Sequence, residues 1–80
     1  MSNPNAHDIK VLNGLIETTL DSADGYAQAA EETTDPHFRS LFERRSEERR
    51  QVVEDLSAAV SGLGGDPDAH GSILAKAHRA

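Results

Sequence analysis

The chain has no cysteine. That removes disulfides, thiolate metal sites and thiol redox chemistry in one step. It has no tryptophan, one tyrosine, two phenylalanines and one methionine. Nor does any stretch approach the roughly 20 apolar residues that a membrane-spanning helix needs. The N-terminus, MSNPN, is polar and lacks the apolar run of a signal peptide. These absences make a cytoplasmic protein, away from membranes, the expectation. Basic residues are also scarce, with eight lysines and arginines against fourteen acids, a net charge of −6 and a pI near 5.0. The arginines of the central segment alternate with glutamates instead of forming a basic patch, which argues against nucleic acid.

What is present reads as helix. Eighty residues allow one small domain. The apolar steps Ile9, Leu12, Ile16, Ala23, Ala27 and Ala30 are those of an amphipathic helix from about residue 7 to 33, with Leu15 and Leu20 widening the stripe. Asn5 is a candidate cap, and Asp8 suits the positive end of the helix dipole. Gly14 and Gly25 interrupt the helix and are expected on an exposed side. Asp35–Pro36 is a strong second start, because the carboxylate caps and proline occupies the first helical position without losing a hydrogen bond. A second helix is expected over residues 36–63, ended by Gly62-Leu63-Gly64-Gly65 and by Asp66–Pro67. Both helices run about 27 residues, roughly 40 Å, and the short connection folds them antiparallel. Ser72 then resembles the cap of a third helix over 72–80, carrying Ile73, Leu74 and Ala77.

The expected fold is all-α: a flexible tail over residues 1–6, then one domain over 7–80 made of a long antiparallel hairpin and the start of a third helix. Hydrophobic content is 36%, low for a chain that must build a core alone. A four-helix bundle completed by dimerisation, as a homodimer or higher homo-oligomer, is therefore expected. The alternative is a native chain that continues beyond Ala80. Ile9, Leu12 and Ile16 would pack against Leu56, Val60 and Leu63 at one end. Phe38, Leu41 and Phe42 would pack on Ala27 and Ala30 at the other. The centre would hold Thr19, Glu48, Gln51 and Arg45.

Glu48 is the residue most suggestive of chemistry. It lies seven residues after Leu41 and four before Val52, so the three share a helix face. Bundles build dinuclear metal sites from inward carboxylates and a Glu-x-x-His pair. Here that pair reads Glu48-Arg49-Arg50-Gln51, and an amide is a weak neutral ligand for iron or zinc. The plainer reading is a surface glutamate paired with Arg44 or Arg45. His7, His37, His70 and His78 are scattered, and none stands at a ligand spacing from another or from Glu48. The serines Ser40, Ser46, Ser57 and Ser61 have no neighbouring His–Asp pair, and no glycine-rich loop suggests a phosphate cradle. Tyr26 is expected to pack in the core.

The spacing of Tyr26, Asp35–Pro36 and Glu48-Arg49-Arg50-Gln51 resembles the first hairpin of ferritin-like proteins, including rubrerythrin-type and encapsulated-ferritin-type hairpins. More closely, the chain resembles an uncharacterised bacterial family of ferritin-like four-helix-bundle proteins. The likeness rests on Leu12-Asn13, Leu15-Ile16, Ala29-Ala30-Glu31, Asp35-Pro36, Leu63-Gly64-Gly65-Asp66-Pro67, Gly71-Ser72 and Ala77-His78-Arg79, and it spans nearly all of residues 9–80. Members of that family usually continue through the third helix into a fourth. The resemblance implies a bundle fold and, residue by residue, puts di-iron ligand positions at Thr19, Glu48 and Gln51. A hydroxyl and an amide at two of those positions make the site vestigial. A non-catalytic role in assembly or stress physiology, without a cofactor, is thus the leading expectation. The alternatives are an iron-binding oxidoreductase or iron-storage protein using Glu48 with Glu17 or Asp21, and an acidic adaptor for a basic partner.

Overall fold

A computed structural model describes residues 4–68. It contains two helices of equal length, α1 (Ala6–Glu32) and α2 (Pro36–Gly62), folded into an antiparallel hairpin. The bounds agree with the expected ones to within a residue. The expected third helix over 72–80 lies outside the described residues.

The reversal between the helices spans three residues. Asp35 is extended, and its Oδ1 accepts the His37 backbone N–H at 2.8 Å, while Pro36 opens the helix. The Thr33 hydroxyl accepts the Asp35 N–H, and the Arg39 side chain donates to the carbonyls of Ala30 and Thr33. The carbonyls left open at the end of α1 are therefore met by a side chain of α2. At the other end of α2 the N–H of Gly65 donates to the Val60 carbonyl and that of Gly64 to Ser61, the bonds of a Schellman motif. Gly64 takes the left-handed conformation this requires, with φ 87°. Gly65 then passes against α1 so closely that a Cβ would lie 2.7 Å from the Ile9 side chain.

Asn5 does not cap α1 as expected: its side chain makes no cap bond. Its amide instead donates to the Leu63 carbonyl, at 3.4 Å, across the mouth of the hairpin. Asn13 does similar work about two turns further along α1. Its amide donates to the Asp66 carbonyl at 3.1 Å and its oxygen accepts the Asp68 N–H at 2.9 Å. Segment 66–68 is thereby tied along α1.

The core is one file of side chains between the helices. Ile16, Leu20, Val53 and Val60 are buried, and Ile9, Leu12 and Leu56 pack against them. Toward the turn the residues shrink to Ala23 and Ala30, both buried, and Ser46 reaches across to donate to the Ala23 carbonyl at 2.9 Å. Small residues there draw the helices together. The Ser46 hydroxyl needs a carbonyl acceptor, because an unpaired buried hydroxyl costs about 1–3 kcal/mol. Ser57 shows the contrast: its Oγ is buried with no partner. The expected seat of Phe38, Leu41 and Phe42 on Ala27 and Ala30 is not what forms. Phe42 instead packs at a tilt against Tyr26, at 6.2 Å between ring centroids, and stacks with Phe38, at 6.1 Å. Ala27 and Ala30 are flanked by Arg39, Glu43, Ser46 and Glu47. The α2 stripe that meets α1 runs through Phe42, Ser46, Arg49, Val53 and Val60, so Phe38 and Leu41 fall to one side of it.

Substitutions separate these roles. Gly64→Ala should lower stability by about 1–2 kcal/mol, the cost of a side chain in the left-handed region. Gly14→Ala should raise it by about 0.5–1 kcal/mol, since a Cβ at Gly14 meets no atom within 4 Å. Ser46→Ala should destabilise by about 1 kcal/mol, and Ser57→Ala should be neutral or stabilising. Urea denaturation of the four variants at equal protein concentration reads all of these.

Candidate functional site

Arg49 and Arg50, neighbours in sequence, mark two different flanks of the hairpin. Arg50 donates to Asp24 at 3.1 Å on one flank. Arg49 donates to the Ser22 hydroxyl at 3.3 Å and lies over the Tyr26 ring, 5.5 Å from its centroid, on the other. The Arg50 flank is polar. It carries Asn13, Asp24 and a depression of about 580 Å³ lined by Glu31, Glu43 and Glu47 with Arg39.

The Arg49 flank is apolar at both ends. Val11, Leu15, Phe38 and Val52 are between 43% and 50% exposed, all four on this side. Between them the α1 stripe continues at helical steps through Ser22, Tyr26 and Ala29. The α2 stripe runs Phe38, Leu41, Arg45, Glu48, Val52, in alternating steps of three and four. A shallow depression of about 360 Å³ opens here between Ser22, Gly25, Tyr26, Ala29 and Phe42. The hairpin measures 54 × 26 × 14 Å between Cα atoms, one helix thick. Nothing within the described residues lies across this flank.

The sequence-derived site residues sit as follows. Glu48 shares its face with Leu41 and Val52, but that face is the Arg49 flank and not the contact with α1. Its side chain is half exposed, and its Oε1 accepts from Arg45 Nη1 at 2.9 Å. The residues facing α1 at that depth are Ser46 and Arg49. Gln51 is exposed on the outer side of α2, and Thr19 is half buried on α1. The three are not gathered around a common point. Glu17 and Asp21 are exposed on the polar side of α1. Among the described residues, no three His, Asp or Glu side chains are grouped to hold a metal ion. No helix among them is long and apolar enough to cross a membrane.

Sequence reasoning did not anticipate the contact between the acids Glu17 and Asp68. Glu17 sits beside Asp68, which Asn13 holds in place. A side-chain hydrogen bond with Asp68, then the repulsion of its charge, raise the Glu17 pKa, with smaller contributions from desolvation and Asp21. The 53- and 55-residue separations of the Asn13 bonds left no local signal for this contact. Because the folded pKa is raised, the stabilisation that protonated Glu17 contributes is complete below the unfolded value and is lost as pH climbs through the folded value. Asp68→Asn should bring the Glu17 pKa back down toward the ordinary glutamate range, as read from an NMR titration of its side-chain carboxyl.

A family model matches residues 7–80, and its description is "Domain of unknown function (DUF2383)". No curated protein and no solved structure matches the chain.

Proposed function

We propose that this chain, which belongs to the DUF2383 family, is a non-catalytic assembly module: half of a ferritin-like four-helix bundle whose open flank is covered by further helices. The observation that carries this reading is the apolar flank formed by Val11, Leu15, Phe38 and Val52 beside the Tyr26–Phe42 rings. An amphipathic helix buries one stripe, and α2 has two adjacent ones. The first packs on α1. The second has the three-four periodicity of a bundle seam. Thr19, Glu48 and Gln51 stand where the likeness to di-iron hairpins would put ligands, with a chemistry too weak to hold iron.

Two measurements test the reading. Val52→Asp should lower stability by about 1–2 kcal/mol, while Gln51→Asp, one position away on the outer side, should change it by less than about 0.5 kcal/mol. Equal effects would mean that the flank is not buried by anything. Elemental analysis of the purified protein should find no stoichiometric iron. About two metal ions per bundle, as in dinuclear carboxylate sites, would overturn the non-catalytic reading in favour of iron chemistry at Glu48.

A further inference from the structure

We infer that the flank is covered by a second copy of this chain, turned about a two-fold axis that crosses α2 between Arg45 and Glu48. The inference rests on the assembly reading above and supplies the partner it leaves open. Its basis is the order of residues along this side of α2: exposed Phe38 and half-buried Leu41, then Arg45 and Glu48, then exposed Val52 and half-buried Leu56, which also packs on the core. Its inner four residues, Leu41, Arg45, Glu48 and Val52, are a palindrome in spacing and polarity and opposite in charge at the middle. A two-fold interface brings one patch against itself, so its centre must be self-complementary.

Placing two α2 helices antiparallel with Arg45 opposite Glu48 of the second copy fixes every other pairing. Leu41 comes opposite Val52 of the second copy, and Phe38 falls opposite its Asp55, one residue from its Leu56. Because the hairpin register places Leu15 at nearly the depth of Leu56, Phe38 also comes level with Leu15 of the second copy. Three of the four large side chains exposed on this flank (Leu15, Phe38 and Val52) are thus covered in the same register that matches the charges, and Val11 lies beyond them. Shifting one copy by a heptad puts Leu41 opposite Arg45 or Val52 opposite Glu48, and the apolar match is lost.

The existing Arg45–Glu48 bond does not compete with this arrangement. It lies within one chain at the interface centre, with the two side chains 41% and 50% exposed. Two such pairs brought together form a four-charge cluster of alternating sign, in which each arginine meets both its own and the opposite glutamate. Charge also selects the flank. The other flank carries Asp24, Glu31, Glu43 and Glu47 against Arg39 and Arg50, so two copies would meet there acid to acid.

The test is a charge swap in the full chain. Wild type should have the mass of two chains by analytical ultracentrifugation at low salt. Arg45→Glu and Glu48→Arg each place four like charges at the centre, so each alone should associate about tenfold or more weakly. Their helix content should be unchanged, since both residues are exposed. An equimolar mixture of the two variants should recover a heterodimer at wild-type strength. If both variants dimerise as well as wild type, or the mixture fails to recover, the two-fold is wrong. A monomeric wild type also overturns it. In that case a destabilising Val52→Asp would mean that the flank is covered by the chain's own later residues and the assembly reading survives. A silent Val52→Asp would sink both.

Discussion

The reversal at Asp35–Pro36 sets the register between α1 and α2, and every contact in the hairpin depends on that register. With only three residues between the helices, the chain has no slack to slide one against the other. Arg39 locks the turn by donating to the carbonyls of Ala30 and Thr33. Ser46 then meets the Ala23 carbonyl, Arg50 meets Asp24, and Val60 falls among Ile9, Leu12 and Ile16. A slip of one residue would turn these partners by a quarter of a turn. The polar contacts along the seam contribute little energy each when exposed. Their value is that only one alignment satisfies them all.

The core held in that register is thin. Ile16 and Val60 are its only large side chains fully removed from water among the described residues, and the turn half is filled by Ala23, Ala30 and Ser46. A two-helix layer can bury only the stripe on each helix that faces its neighbour. Small domains of this size need either more core or a partner to offset the entropy of ordering the chain. The apolar flank is where that requirement shows on the surface. It holds the larger aromatic side chains, whereas the buried file holds none.

Much of this was legible beforehand. The helix bounds, the Asp35 cap, the glycine stop and the Ile16–Val60 end of the core follow from caps and from periods of three and four. What could not be read was the placement of Glu48. Spacing assigns it to the stripe of Leu41 and Val52. A second apolar stripe, Phe42, Val53 and Val60, lies only some 100° around the same helix, one residue's rotation away. Periodicity alone does not say which of the two meets α1. The choice is made by fit: Ser46 and the alanines allow close approach along one stripe, while Arg45, Glu48 and Phe38 would hold the helices apart along the other. Asn13, Gly65 and Asp68 were invisible for a different reason, since their partners are more than fifty residues away and carry no local pattern.

The placement of charge within the outer stripe then acquires a physical meaning. An all-apolar stripe of the same length would bury more hydrophobic surface, but it would fit a neighbour at several heptad offsets and in either direction. One arginine and one glutamate at its centre cost stability wherever they face apolar groups, and cost least where they face each other. Polar residues at the middle of a seam thus discriminate between alignments more than they strengthen any one of them. On the proposed two-fold, this would account for Glu48 on an apolar face. A carboxylate there needs a cation, and in this chain the cation within reach is the guanidinium of Arg45, one helical turn away.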